Sequence, residues 1–242
     1  IVEYRLEFQV SDFFALNGFV LTDTLSDGQA IDPSFTPTLT YQEFTHGNHF
    51  SNALFEDALG NQVNVITTDN PNGTQDVEFN ISEQLKILRN LPDGRILGAD
   101  IPFTGTGTGP PLPTPGSFGT TGNVIFRAEI LDNYRVTPSP NAEVVEGDVM
   151  TDTAAITSDL LEYENALMPT GGKGKDGSQK SFSLANSGAR KTLYAINGDT
   201  SKTDQRVVPT DEVTFRLTYE LPFSSIKEYK LVDYLPLPIF QP

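Results

Sequence analysis

Apolar and polar residues alternate from the start of the chain. Val2, Tyr4, Leu6, Phe8 and Val10 take one side, and Glu3, Arg5, Glu7 and Gln9 take the other. A period of two marks a strand with one buried face. Similar short runs predict strands at 19–22, 38–42, 62–67, 76–81, 124–131, 143–145, 153–157, 181–184 and 191–196. Residues 22–28, Thr-Asp-Thr-Leu-Ser-Asp-Gly, read as the turn that ends the second strand, with Asp-Gly as its punctuation. Residues 82–90 and 159–167 suit a short helix and a strand about equally.

Many short strands with frequent breaks predict an all-β chain. The 20 glycines and 17 prolines are spread along its length, and 16 Phe and 8 Tyr supply much of the apolar material. Two stretches read as loops by composition: 104–122, rich in Gly, Thr and Pro, and 169–177, Pro-Thr-Gly-Gly-Lys-Gly-Lys-Asp-Gly. The second is the better candidate for a boundary. It predicts a first unit over 1–177, carrying the long loop 104–122, and an incomplete second unit over 178–242.

An internal repeat supports that division. Val2-Glu3-Tyr4-Arg5-Leu6-Glu7-Phe8 aligns with Val213-Thr214-Phe215-Arg216-Leu217-Thr218-Tyr219. At nearly the same offset, Val20-Leu21-Thr22-Asp23-Thr24-Leu25 aligns with Lys230-Leu231-Val232-Asp233-Tyr234-Leu235. Each copy runs in the order alternating strand, turn, apolar strand, Asp, Leu. The expectation is a chain that opens inside one unit and ends inside another. The sheet of the second unit would then be closed by further chain or by a neighbouring molecule.

Charge narrows the function classes. With 32 acidic and 16 basic residues, the net charge is −16. No basic patch offers a nucleic-acid surface. No apolar run approaches the roughly 20 residues of a membrane span. Cysteine is absent, so disulfides and thiolate metal sites are excluded. Ile1 opens directly into a strand pattern, which is expected of a mature or internal segment.

Catalytic and binding motifs are sparse, and the chain is expected not to be an enzyme. Both histidines, His46 and His49, fall in one polar stretch without an evident third ligand. The Gly-rich run at 105–111 lacks the Lys-Ser or Lys-Thr of a phosphate loop. No cofactor is implied, but Asp69, Asn70, Asn72 and Asp76 surround a Gly turn and form a candidate calcium loop. A β-turn between strands explains the same residues. Asn80-Ile81-Ser82 is a formal glycosylation sequon.

The motif at 22–28, together with Thr-Asp-Thr-Ala-Ala-Ile-Thr at 151–157, resembles bacterial surface repeats of the fimbrial isopeptide-forming D2 and DUF11-like type. The stretches 191–198, 213–216 and 233–238 look like the opening of another such repeat, while 42–122 carries no resemblance. The resemblance implies an immunoglobulin-like β-sandwich in large extracellular adhesins, pili or filaments on the cell surface. It also implies, in some members, an intramolecular isopeptide bond between a first-strand Lys and a last-strand Asn or Asp, assisted by a buried carboxyl group. Carried over by position, Asp152 stands where the family often has Asn, and Lys191 stands at the first-strand Lys of the second unit. Asp23 and Asp233 stand at the Asp of the turn motif in their units. With Asp at 152, a bond would release water. Lys191 would need a partner beyond Pro242 or on another molecule. The plainer reading of these residues is a surface lysine and turn-forming aspartates.

Two functions follow as expectations. The first is a structural repeat of a cell-surface filament, joined end to end to neighbouring copies or repeats, with strand complementation as one means. The alternative is an adhesin module whose loops recognise a glycan or a host protein.

Overall fold

The structure, a computed structural model, describes residues 1–11, 13–43, 49–89, 94–98, 119–162, 168–184, 188–202, 206–220 and 231–233. The fold is all-β. One antiparallel sheet has the order β1 (Val2–Gln9), β9 (Thr121–Ile130), β4 (Thr38–Gln42), β5 (His49–Leu54), with β3 (Gln29–Ile31) also on β9. The other has the order β11 (Pro169–Ser183), β10 (Val149–Leu161), β2 (Ala15–Leu25), β7 (Gln75–Asn80), β6 (Val65–Asp69), with β8 (Ile96–Leu97) on β2.

The two sheets face each other across one core. Phe8, Leu39, Tyr41, Val124 and Phe126 come from the first, and Phe19, Leu21, Val77 and Phe79 from the second. Rings interlock between the layers: Phe8 and Phe19 lie 5.0 Å apart, Phe79 and Phe126 5.2 Å. This is a β-sandwich, as the alternating patterns predict.

Residues 82–90 resolve as helix α1, Ile81–Arg89. The Asn80 side-chain oxygen accepts a bond from the Glu83 amide (3.2 Å), which caps the first turn. Glu83 sits in that turn, Lys86 and Arg89 in the last, and Ile81, Leu85 and Leu88 turn toward the core. The sequon thus lies at a helix start, with Ser82 buried and its hydroxyl accepting from the Phe19 amide at 2.8 Å.

The stretch 169–177 is not a loop. It opens β11, which pairs with β10 along almost its whole length. The Thr- and Ile-bearing β10 offers a row of backbone groups, and glycines fit where side chains would collide. A Cβ on Gly174 would come within 2.4 Å of the Ser158 hydroxyl. The contact boundary consequently falls between Ser183 and Leu184, not after Gly177. One unit comprises 1–144 and 148–183, the other 145–147 and 184–242. Residues 143–145 form no strand; Glu143 forms an isolated β-bridge with Asn133. Residues 104–118 and 163–167 lie outside the described residues.

The second unit contains β12 (Gly188–Ile196), a 3₁₀ turn (Thr200–Lys202) and β13 (Val213–Glu220). β12 and β13 form a two-stranded antiparallel sheet. Among the described residues, no helix is long and apolar enough to cross a membrane.

The Asp-Gly at 27–28 anchors a distant loop. Asp27 is buried, and its carboxylate accepts backbone N–H bonds from Gly28, Arg135, Val136 and Thr137 at 2.7–2.8 Å. Burial alone would raise its pKa, but the bonds from Thr137, Arg135, Val136 and Gly28 outweigh it and hold the carboxyl below the usual range. Gly73, at φ +88°, packs against this carboxylate, and a Cβ there would lie 2.0 Å from Asp27 Oδ2. Gly73→Ala is therefore expected to destabilise the first unit by about 3 kcal/mol, read as a shift of the urea midpoint. A loss under about 1 kcal/mol would show that Asp27 can move aside.

Candidate functional site

β2 and β10 run antiparallel, with Asp23 opposite Ala154. Asp152 is therefore a diagonal neighbour of Asp23 on the same face. Both are buried, at 2 % and 4 % exposure. Asp23 is thus an inward residue of a continuous strand, not a turn residue as its motif suggested. The turn begins only after Leu25.

Asp152 is held from three sides. Its Oδ1 accepts from the Ser26 amide (2.8 Å) and from Gln29 Nε2 (2.7 Å). The Tyr4 hydroxyl reaches its Oδ2 at 2.6 Å and Gln29 Oε1 at 2.5 Å, one proton between two acceptors. Tyr4 stacks on Phe126, with ring centroids 5.1 Å apart, so β1 fixes the hydroxyl's position. Burial, then the bond to Asp152, push the Tyr4 phenol well above its ordinary range.

Asp23 is less well served, since its Oδ2 is buried without a hydrogen-bond partner. Burial first, and the Asp152 carboxylate second, push its pKa up to about 7. A carboxyl group so poised can give or take a proton near neutral pH. It can equally receive a cation, whose charge would offset the burial and the Asp152 carboxylate.

The two acids open onto a groove of about 510 Å³ between β1 and strands β10 and β11, on the edge of β1 that has no strand partner among the described residues. Leu6, Leu21 and Ile156 form part of its wall. Arg5 and Lys180 also border it, both largely exposed, with Arg5 paired to Glu7 at 3.0 Å.

The second unit carries a related arrangement. Lys191, on β12, places Nζ 2.7 and 2.9 Å from the two oxygens of Asp233. Its ammonium also lies 4.1 Å from the centroid of the Phe215 ring. Lys191 thus has an ion-pair partner within the chain. Each side chain of this ion pair is 30 % exposed. In the first unit Lys180 stands opposite Asp152 across β10 and β11 and borders the groove that Asp23 and Asp152 line.

The candidate calcium residues serve a hairpin. Asp69 Oδ1 accepts from Gln75, Asn72 Oδ1 from Thr74, and Asp76 Oδ1 from Thr24, each at 2.7–2.8 Å. Asn70 donates to Thr74 Oγ1 at 3.1 Å. These bonds tie β6 to β7 and to β2, as the turn reading expects. His49 opens β5, and His46 lies outside the described residues. No group of three or more His, Cys, Asp or Glu suited to a metal occurs among the described residues.

Sequence reasoning singled out Asp23, Asp152, Lys191 and Asp233 but missed Tyr4, Ser26 and Gln29. Alternation marks Tyr4 as inward, and a buried phenol needs a polar partner. That signal was present, but it does not say which partner. No family model matches the chain, and no curated protein matches it.

Proposed function

We propose that this chain is a structural repeat of an extracellular cell-surface filament or large adhesin, joined end to end with neighbouring repeats. One observation carries the reading. The same sequence pattern, an alternating strand followed at nearly one offset by an apolar run with an Asp, occurs twice in the chain, at β1 with Asp23 and at β13 with Asp233. Tandem modules of this kind suit a protein whose work is done along its length. The bonding of Asp152 and the hairpin bonds of 69–76 fit a framework role.

The reading is tested on the native source. The denatured polypeptide is expected to have a mass far above the 26.4 kDa of this chain. It is also expected to be cut by protease added to intact cells. A 26.4 kDa polypeptide shielded inside the cell would overturn the proposal.

A further inference from the structure

The repeat places β1 and β13 in correspondence: Tyr4 with Phe215, Leu6 with Leu217, and Asp23 with Asp233. In the second unit, β13 has a strand against it. β12 runs antiparallel to β13 with Lys191 opposite Leu217, its ammonium on the Phe215 ring and on Asp233. In the first unit, β1 pairs only with β9 among the described residues, and its other edge faces the groove. In the first unit no strand lies in the place of β12 among the described residues; Lys180 borders the groove from β11, yet Asp23 Oδ2 has no hydrogen-bond partner.

We propose that this groove receives the β12 strand of a second copy of the chain, antiparallel to β1, with its Lys191 ammonium on the Asp23–Asp152 pair. This names the partner and the contact for the assembly proposed above, and it rests on that reading only for its biological setting. The docked register follows from the second unit: Lys191 opposite Leu6, Leu193 opposite Tyr4 and Ala189 opposite Phe8. Lys191 and Leu193 would then face the acids and the apolar wall, while Arg190 and Thr192 face outward.

Three further observations favour this occupant. β12 carries Arg190 and Lys191 and no acid, while the chain as a whole stands at −16, so it is a basic strand offered to an acidic groove. Among the described residues β12 and β13 form a sheet of two strands, which is marginal in water, so exchanging β13 for β1 costs little. The edge of β1 offers unpaired backbone groups, and strand addition satisfies them.

The probe is a labelled peptide with the sequence of residues 188–196, titrated with the intact chain and followed by fluorescence anisotropy. Saturable binding is expected, weaker in high salt, with hydrogen-exchange protection appearing on β1. Replacing the peptide lysine by Met, or Asp23→Asn in the chain, is expected to weaken binding about tenfold or more. Sedimentation of the intact chain is expected to show concentration-dependent association that Lys191→Met reduces. Absent binding, equal binding of the Met peptide, or protection confined to β5, β6 or β11 would each overturn the proposal. Peptide binding by a chain that stays monomeric at every concentration would overturn the second copy as occupant. A short intracellular native chain that still binds the peptide as described would sink the filament reading and leave the docking intact. A long surface protein that ignores the peptide would do the reverse.

Discussion

Asp23→Asn is expected to stabilise the protein at pH 8 and to leave it nearly unchanged at pH 4. The carboxyl group has a pKa of about 7 in the fold, raised from 3.8, because burial and the Asp152 carboxylate oppose its ionisation. A folded value above the unfolded one means that stability is fully present below about pH 3.8. It is lost as pH rises toward about 7, and level beyond that. Asn has nearly the same shape and no charge to bury, so the variant escapes the loss. The gain at pH 8 should be about 3 kcal/mol. It is read from urea midpoints at the two pH values, followed by tyrosine fluorescence. A variant less stable than the parent at pH 8 would mean that the Asp23 carboxylate already has a cation partner. The same replacement is expected to weaken docking of the Lys191 strand. Opposite signs in stability and binding separate a ligand-holding residue from a merely structural one.

Arg89→Met is expected to cost about 3–5 kcal/mol. Arg89 ends α1 and reaches Glu43 Oε1 at 2.7 Å, with 8 % and 1 % of the two side chains exposed. Its guanidinium also donates to the Tyr41 hydroxyl at 3.0 Å and to the Arg95 carbonyl at 2.7 Å, pinning the helix end to the first sheet. Tyr41 in turn donates to Glu43. Burial, and then the Glu43 carboxylate, push the Tyr41 phenol well above its ordinary range. Removing the guanidinium takes one cation from a buried carboxylate, the costly way to break such a pair. Arg89 Nε has no partner even in the intact protein, so the pair is imperfectly satisfied. The double variant Arg89→Met with Glu43→Gln should therefore recover at least half of the loss. Equal midpoints for parent and single variant would show that water reaches Glu43.

Much of the architecture was legible along the chain. Period-two alternation located β1 within one residue, and the run at 38–42 matches β4 residue for residue. The apolar positions of β1 are the ones that face the core, and on β2 Phe19, Leu21 and Leu25 do so together with Asp23. β11 was misread because Gly, Lys and Ser carry no strand signal of their own, and its order comes from pairing with β10. The motif Thr-Asp-Thr-Leu was misread as a turn because Thr and Asp suit turns locally. A buried face and strands β7 and β10 on either side keep those residues extended.

The amino-acid sequence by itself determined the all-β class, the inward face of the leading strands, the repeated strand–Asp module and the acidic charge. Each of these depends on residue type and spacing within a few positions, which a one-dimensional pattern records. Only the tertiary structure decided that Asp23 and Asp152 share one face under the Tyr4 hydroxyl, that Arg89 meets Glu43, and that Lys191 lies on Asp233. These residues stand tens of positions or more apart along the chain. Strand pairing and helix docking bring them together, and burial then shifts a carboxyl pKa or makes an ion pair costly to break.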